Sequence, residues 1–134
     1  MAGTTIGGFE LTVRDIEAAE RFYTECLGLT VRDREDHQIF QETLLVGEGD
    51  RTALILVTPR DPDAPLAPAT ESAKVLLIMD DVRALHAAAL AGGATEISAP
   101  QLYEALDLWF SELRDLEGYT VQLVGRHGPN ATDG

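Results

Sequence analysis

The chain states one pattern twice. Residues 8–28 read GFELTVRDIEAAERFYTECLG, and residues 74–93 read KVLLIMDDVRALHAAALAGG. Each is a short apolar strand, an acidic turn, an amphipathic helix and a glycine stop. Ile16 and Val82 open the two helices, 66 positions apart. Each unit runs on through strand-like segments to a similar apolar run, Ala53 to Val57 and Thr120 to Val124, at an offset of 67. A repeat of this kind constrains architecture before any local motif does. Neither half is long enough to bury a good core alone. The repeat also says where a site should sit, between the two copies.

Within the first copy, residues 8–13 alternate. Phe9, Leu11 and Val13 point one way, and Gly8, Glu10 and Thr12 the other, which predicts a strand with one face on a core. Asp15 is placed to cap the next helix. Ile16, Ala19, Phe22, Tyr23 and Leu27 form its apolar stripe, and Gly28 can take the left-handed conformation that ends it. Strands are expected near 29–34, 38–46 and 52–57, with turns at Glu35-Asp36 and Gly47 to Asp50. In the second copy Asp80 or Asp81 caps a helix that buries Val82, Leu85 and Ala89, and Gly92-Gly93 stops it. Strands near 94–98, 107–114 and 119–124 follow, the last two joined by a turn at Asp115 to Gly118. The order is βαβββ, twice: modules at about 5–58 and 74–125, a proline-rich linker over 59–73, and a polar tail over 126–134 expected to fray. The fold class is α+β, one domain whose two modules form a curved, cup-shaped mixed sheet. Residues with the parity of Gly8, Glu10 and Thr12 should line the cup.

Ten Lys and Arg face 23 Asp and Glu, for a net charge of −13. This argues against nucleic acid, whose binding depends on cations that neutralise phosphates, and against anionic membrane surfaces. It suits a cationic small ligand, because the summed field draws cations in. No apolar run approaches the roughly 20 residues that span a bilayer. The opening MAGTTIGG lacks the features of a signal peptide, and the single cysteine, Cys26, rules out an internal disulfide framework. Both point to the cytoplasm. Cys26 lies near a helix C-terminus, which favours thiol over thiolate.

The segment ELTVRDIEAAERFYTECLGL resembles the opening of the vicinal oxygen chelate superfamily, in which a strand, an Asp and a helix ending in Phe-Tyr and Leu-Gly recur. Here these are Asp15, Phe22-Tyr23 and Leu27-Gly28. LRDLEGYTVQLV resembles the closing hairpin of the same family, with Leu116 where Pro is usual. The resemblance covers roughly residues 6–125. It implies the glyoxalase and bleomycin-resistance fold and a homodimer, with the cup formed within one chain or across two. The superfamily spans glyoxalases, dioxygenases, epimerases and antibiotic-binding resistance proteins, so it implies a fold more sharply than an activity.

Metal-dependent members share four ligand positions. By the resemblance these fall on Gly8, Ile55, Lys74 and Gln122. Glycine and isoleucine cannot ligate, lysine repels a metal unless it loses its proton, and glutamine is a weak oxygen donor. A one-residue slip brings Phe9, Val75, Leu54 or Leu56, which is no better. The expectation is therefore no metal of the family type and no cofactor. His37 falls in a polar turn, His86 within the second helix and His127 in the tail, each read as solvated or packed. A displaced metal site using Glu10, Glu42 and His37 is the alternative.

The candidate ligand-binding residues are Glu10, Thr12, Phe40, Lys74, Trp109 and Gln122. Glu10 offers a carboxylate to a cation, or a general base if the protein is an enzyme; pairing with Lys74 is the competing role. Gly8 should leave room for a bulky ligand. Aromatic faces can sandwich a planar or cationic molecule. Phe40 and Tyr103 fall on candidate cup segments. Only one of Trp109 and Phe110 can face the cup, since neighbours on a strand point oppositely. Glu104, Asp107 and Glu112 would make a negative rim. The leading expectation is a metal-free small-molecule-binding protein that sequesters an antibiotic or metabolite. The alternative is an enzyme of the superfamily, a lyase, isomerase or dioxygenase-like protein, using a displaced metal or Glu10. A dimer with a vestigial cup is a third.

Overall fold

The computed structural model describes residues 6–66, 69 and 73–126. The tail 127–134, with His127, and linker residues 67, 68 and 70–72 lie outside the described residues. The chain divides into two compact units, Met1–Ala67 and Pro68–Gly134. Among the described residues no helix is long and apolar enough to cross a membrane.

In the first unit, β1 (Gly8–Thr12) leads through Asp15 into α1 (Ile16–Arg21), and β2 (Thr30–Asp36), β3 (Phe40–Val46) and β4 (Ala53–Pro59) follow. The sheet order is β1-β4-β3-β2, with β1 parallel to β4 and the other pairs antiparallel. The Asp15 carboxylate accepts the Ala18 N–H at 3.0 Å, satisfying one of the orphan donors of the first turn. The helix then differs from a plain α-helix. Residues Phe22–Cys26 widen into a π turn. The Thr24 hydroxyl donates to the Glu20 carbonyl at 2.8 Å, a back-bond of the kind that bends helices. The helix ends where a left-handed residue was expected, at Gly28 with φ 81°. The Leu29 N–H then returns to the Tyr23 carbonyl at 2.9 Å. Leu11, Val13, Ala19, Phe22, Tyr23, Leu27, Leu45, Ala53 and Leu56 are buried. Phe22 and Tyr23 meet edge to face at 5.2 Å.

The second unit repeats the plan. β5 (Lys74–Ile78), α2 (Val82–Ala91), β6 (Thr95–Tyr103), β7 (Leu108–Arg114) and β8 (Thr120–Arg126) give the order β5-β8-β7-β6, with β5 parallel to β8. Of the two candidate caps, Asp81 serves, accepting the Ala84 N–H at 3.0 Å. Val82, Ala89, Leu113, Val121 and Leu123 make the core with Val75. β6 runs to Tyr103, five residues beyond expectation, through Pro100. It is an edge strand with register shifts between Glu96 and Gln101, the setting in which a strand accepts a proline.

The turn after β7 is built on Asp115, a nearly buried carboxylate. It accepts the N–H groups of Glu117 at 2.9 Å and Tyr119 at 2.8 Å. Gly118 takes φ 94°. Asp115→Ala strips the oxygen that accepts both N–H groups, and we expect a loss of about 2 kcal/mol by chemical denaturation. A loss within experimental error would mean that the turn does not need its carboxylate.

Candidate functional site

Helix α1 covers one face of the first sheet, the face of Leu11, Thr43, Leu45 and Leu56. The strand registers put Glu10, Thr12, Phe40, Glu42 and Val57 on the other face. That open face carries a cavity of about 410 Å³, within the usual size of small-molecule sites. Glu10, Thr12, Phe40, Glu42, Val57 and Pro59 form its floor and sides, and Ile39, Ala64, Pro65 and Leu66 add apolar walls. The Arg14 guanidinium holds the linker segment in place, donating to the Pro62 carbonyl at 3.1 Å and the Ala64 carbonyl at 2.9 Å. Three expected residues, Glu10, Thr12 and Phe40, thus share one cavity. Glu42 joins them by the parity of Phe40. Pro65 and Leu66 carried no signal in the sequence, because a linker's path over a sheet has no periodicity.

Glu10 makes no hydrogen bond or ion pair with a described residue of its own module. Lys74, its expected competitor, forms an ion pair with Glu112 inside the second module. This takes Glu112 from the expected negative rim. Lys74, Gln122 and Glu112 lie on the face of the second sheet away from α2, where Glu112 pairs in register with Gln122. Phe110 shares that face and stacks against Tyr103 at 4.4 Å. Trp109 has the opposite parity, that of the buried Ser111 and Leu113, so it lies on the helix-covered face. The Arg83 guanidinium sits 4.8 Å from its ring centre. Trp109 is therefore not on the open face with Phe110, because the register pairs it with Leu102 and Gly125 on the α2 side.

The family metal positions can be tested on the geometry. A Cβ at Gly8 would fall 2.6 Å from Ile55 Cδ1 and 3.0 Å from the Ala53 carbonyl oxygen. The space that Gly8 was expected to leave is filled by the side chain at the second family position. Lys74, at the third, is engaged by Glu112. The residues present do not fit the family's metal. We expect Gly8→His to displace the Ile55 side-chain end at a cost of about 1 kcal/mol or less and to add no metal affinity. Thermal denaturation with and without zinc checks both parts.

At the turn end of the β2–β3 hairpin, His37 stacks on Phe40 at 4.3 Å. β2 continues through Glu35-Asp36, which were expected to turn; the turn falls instead on His37 to Ile39, closed by the His37 N–H to the Phe40 carbonyl at 2.9 Å. Glu35 and Glu42 then stand directly opposite. A side-chain hydrogen bond in which the protonated Glu35 carboxyl donates to Glu42, followed by desolvation and the charge of Glu42, holds the Glu35 carboxyl above the ordinary range. A second groove, between α1 and the β2–β3 edge, contains Glu17, Glu20, Arg21 and Arg34. There Glu20 accepts two hydrogen bonds from Arg34 at 2.8 Å and one from Thr43 at 3.2 Å. The Arg34 hydrogen bond holds the Glu20 carboxyl below its ordinary value of 4.5. A depressed carboxylate contributes stability above its unfolded pKa and loses it as pH falls through the folded one. Stability should therefore fall on acidification from just above pH 4.5 downward, and Glu20→Gln should flatten that part of the curve. An unchanged slope would remove Glu20 from the account.

Cys26 is half-buried, and burial followed by the charge of Glu25 pushes its thiol up. It stays a thiol. His86 is packed in the second core, its ring nitrogens 2.8 Å from Ser111 Oγ and 2.7 Å from Glu96 Oε2.

Solved structures share the fold. A glyoxalase family protein from Bacillus cereus is similar with a TM-score of 0.80 at 17% identity, covering 96% of this chain and 99% of that one. TnmS3, an antibiotic binding protein from Streptomyces sp. CB03234, is similar with a TM-score of 0.70 at 24% identity, covering 94% and 98%. A glyoxalase I mutant from Zea mays gives 0.74 at 20% identity; this chain is 89% covered and spans 46% of the maize chain, about half its length. No curated protein sequence matches the chain. The family model for the Glyoxalase/Bleomycin resistance protein/Dioxygenase superfamily matches residues 5–123, and with the doubled βαβββ plan this places the chain in that superfamily.

Proposed function

We propose that the protein captures a cationic, planar small molecule stoichiometrically, without turnover and without a metal at the family positions. The observation that carries this is the open-face cavity of the first module. It sets the Glu10 and Glu42 carboxylates and the Thr12 hydroxyl among apolar walls, with Phe40 as a flat surface. Apolar burial supplies affinity and the two carboxylates select charge. The net charge of −13 favours approach of the same ligands. Gly8 brings no ligating side chain to the position that would begin a family metal centre, and a Cβ there would meet Ile55 Cδ1 at 2.6 Å. A Streptomyces protein of this fold is an antibiotic binding protein, which supports sequestration of an antibiotic or metabolite as the role. The family resemblance further supports a homodimer.

The test uses proflavine, a planar cationic fluorophore, with anthracene carboxylate as an anionic control of similar shape. Saturable proflavine binding, recovery of the dye unchanged and a raised melting temperature are expected, with no stabilisation by the anion. Equal binding of both, or of neither, would sink the charge-selective reading. Chemical conversion of a bound probe would favour an enzyme instead.

A further inference from the structure

We propose that Glu35, His37 and Glu42, at the turn end of the β2–β3 hairpin, form a binding site for a divalent transition-metal ion of the zinc class, apart from the four positions the superfamily uses. The strand register puts the Glu35 and Glu42 side chains directly opposite each other. Like charges in that relation destabilise a strand pair unless something offsets them. His37 supplies the third group. Its Nε2 lies 3.8 Å from Glu35 Oε2 and 3.5 Å from Glu42 Oε1. That nitrogen has under 1 Å² of accessible surface and no hydrogen-bond partner among the described residues, although the His37 side chain as a whole is 41% exposed. A buried polar atom left in that state is costly and calls for an explanation. One ligand atom from each residue lies within 4.8 Å of the others. Ligands around an ion with bonds of roughly 2.0–2.2 Å stand about 3–3.5 Å apart, so the cluster needs only slight closure.

The surroundings hold these groups in place. Stacking on Phe40 fixes the ring, and the His37 N–H to Phe40 carbonyl bond fixes the turn. The Arg60 Nε donates to the His37 carbonyl at 2.6 Å, and the Arg60 guanidinium is paired with Asp36. A cation between the three side chains takes the Nε2 lone pair and offsets both carboxylates. One imidazole and two carboxylates suit zinc, nickel, cobalt or manganese more than calcium or magnesium, which prefer all-oxygen shells. Three protein ligands leave further coordination positions to water. Because Glu42 also walls the neighbouring cavity, the ion would stand at that cavity's edge.

The test is titration of untagged, chelator-treated full-length protein with Zn²⁺ by calorimetry and with Co²⁺ by visible absorption. One ion per chain is expected, with a Kd of roughly 10 µM or below. His37→Gln should weaken binding about 100-fold, and Glu35→Gln and Glu42→Gln about 10-fold or more each, with unchanged circular dichroism. Cys26→Ser and His127→Ala should leave affinity as it is. No saturable binding up to about 1 mM, or equal binding by His37→Gln, would overturn the proposal, as would loss of the Co²⁺ spectrum in Cys26→Ser alone.

Discussion

His86→Ala is expected to cost about 3–4 kcal/mol of folding stability, the largest effect of any single change considered for this chain. Two losses combine. The ring is 3% exposed, so its removal leaves a cavity beside Val82 and Ala89 on the same helix. Its partner Ser111 is wholly buried and would keep a hydroxyl with no acceptor or donor at 2.8 Å. The second cost can be separated from the first. His86→Leu with Ser111→Ala removes the buried His86–Ser111 pair together and keeps most of the volume, while Glu96, whose side chain is 43% exposed, turns to solvent; it should recover more than half of the loss, since deleting a buried pair together is far cheaper than orphaning one member. Chemical denaturation of the three proteins measures this directly. If His86→Ala costs less than about 1 kcal/mol, the ring does not organise the second core. If the double variant is no better than the single one, cavity formation and not the orphaned hydroxyl dominates.

The second large effect concerns capture. Glu10→Gln combined with Glu42→Gln should weaken proflavine binding about 100-fold, each carboxylate contributing about 1.5 kcal/mol to a charged partner. The substitutions keep shape and remove charge, so the apolar walls of Phe40, Val57 and Leu66 stay as they are. Folding stability should not fall, because Glu42→Gln also removes a like charge facing Glu35. The binding is to be measured with a chelator present, which keeps any ion at the hairpin from contributing. Raised salt should weaken the parent protein more than the double variant, since only the parent relies on charge. Equal affinity in the two proteins would mean that burial alone holds the dye and that the acidic pair has another purpose.

The uneven legibility of this chain has a physical basis. Both helix starts could be read, because an N-cap is a short-range contact: Asp15 and Asp81 each reach a backbone N–H three residues on. The helix stops at Gly28 and Gly92-Gly93 were readable for a like reason, since a left-handed residue is a local demand. The π turn at Phe22–Cys26 was not, although the Thr24 hydroxyl that accompanies it is in plain view. Whether such a hydroxyl bonds backward depends on how the helix packs. The β2 end was misplaced for a different reason. Glu35-Asp36 has the composition of a turn, but Arg60 pairs with Asp36 and holds His37 from another strand, and the hairpin closes later.

The candidate site divides in the same way. Alternation along a strand is a property of the chain, so the sequence by itself determined that Glu10 and Thr12 share a face, and that Trp109 and Phe110 cannot. It determined the doubled βαβββ plan through a repeat that needs no coordinates. Which of the two aromatics faces α2 was decided only when β7 took its register against β6 and β8. That Lys74 meets Glu112, that Ile55 fills the space beside Gly8, and that Glu35, Glu42 and His37 converge were likewise decided by tertiary structure. Each joins residues on different strands. Local periodicity says which way a side chain points, and only strand pairing says what it meets.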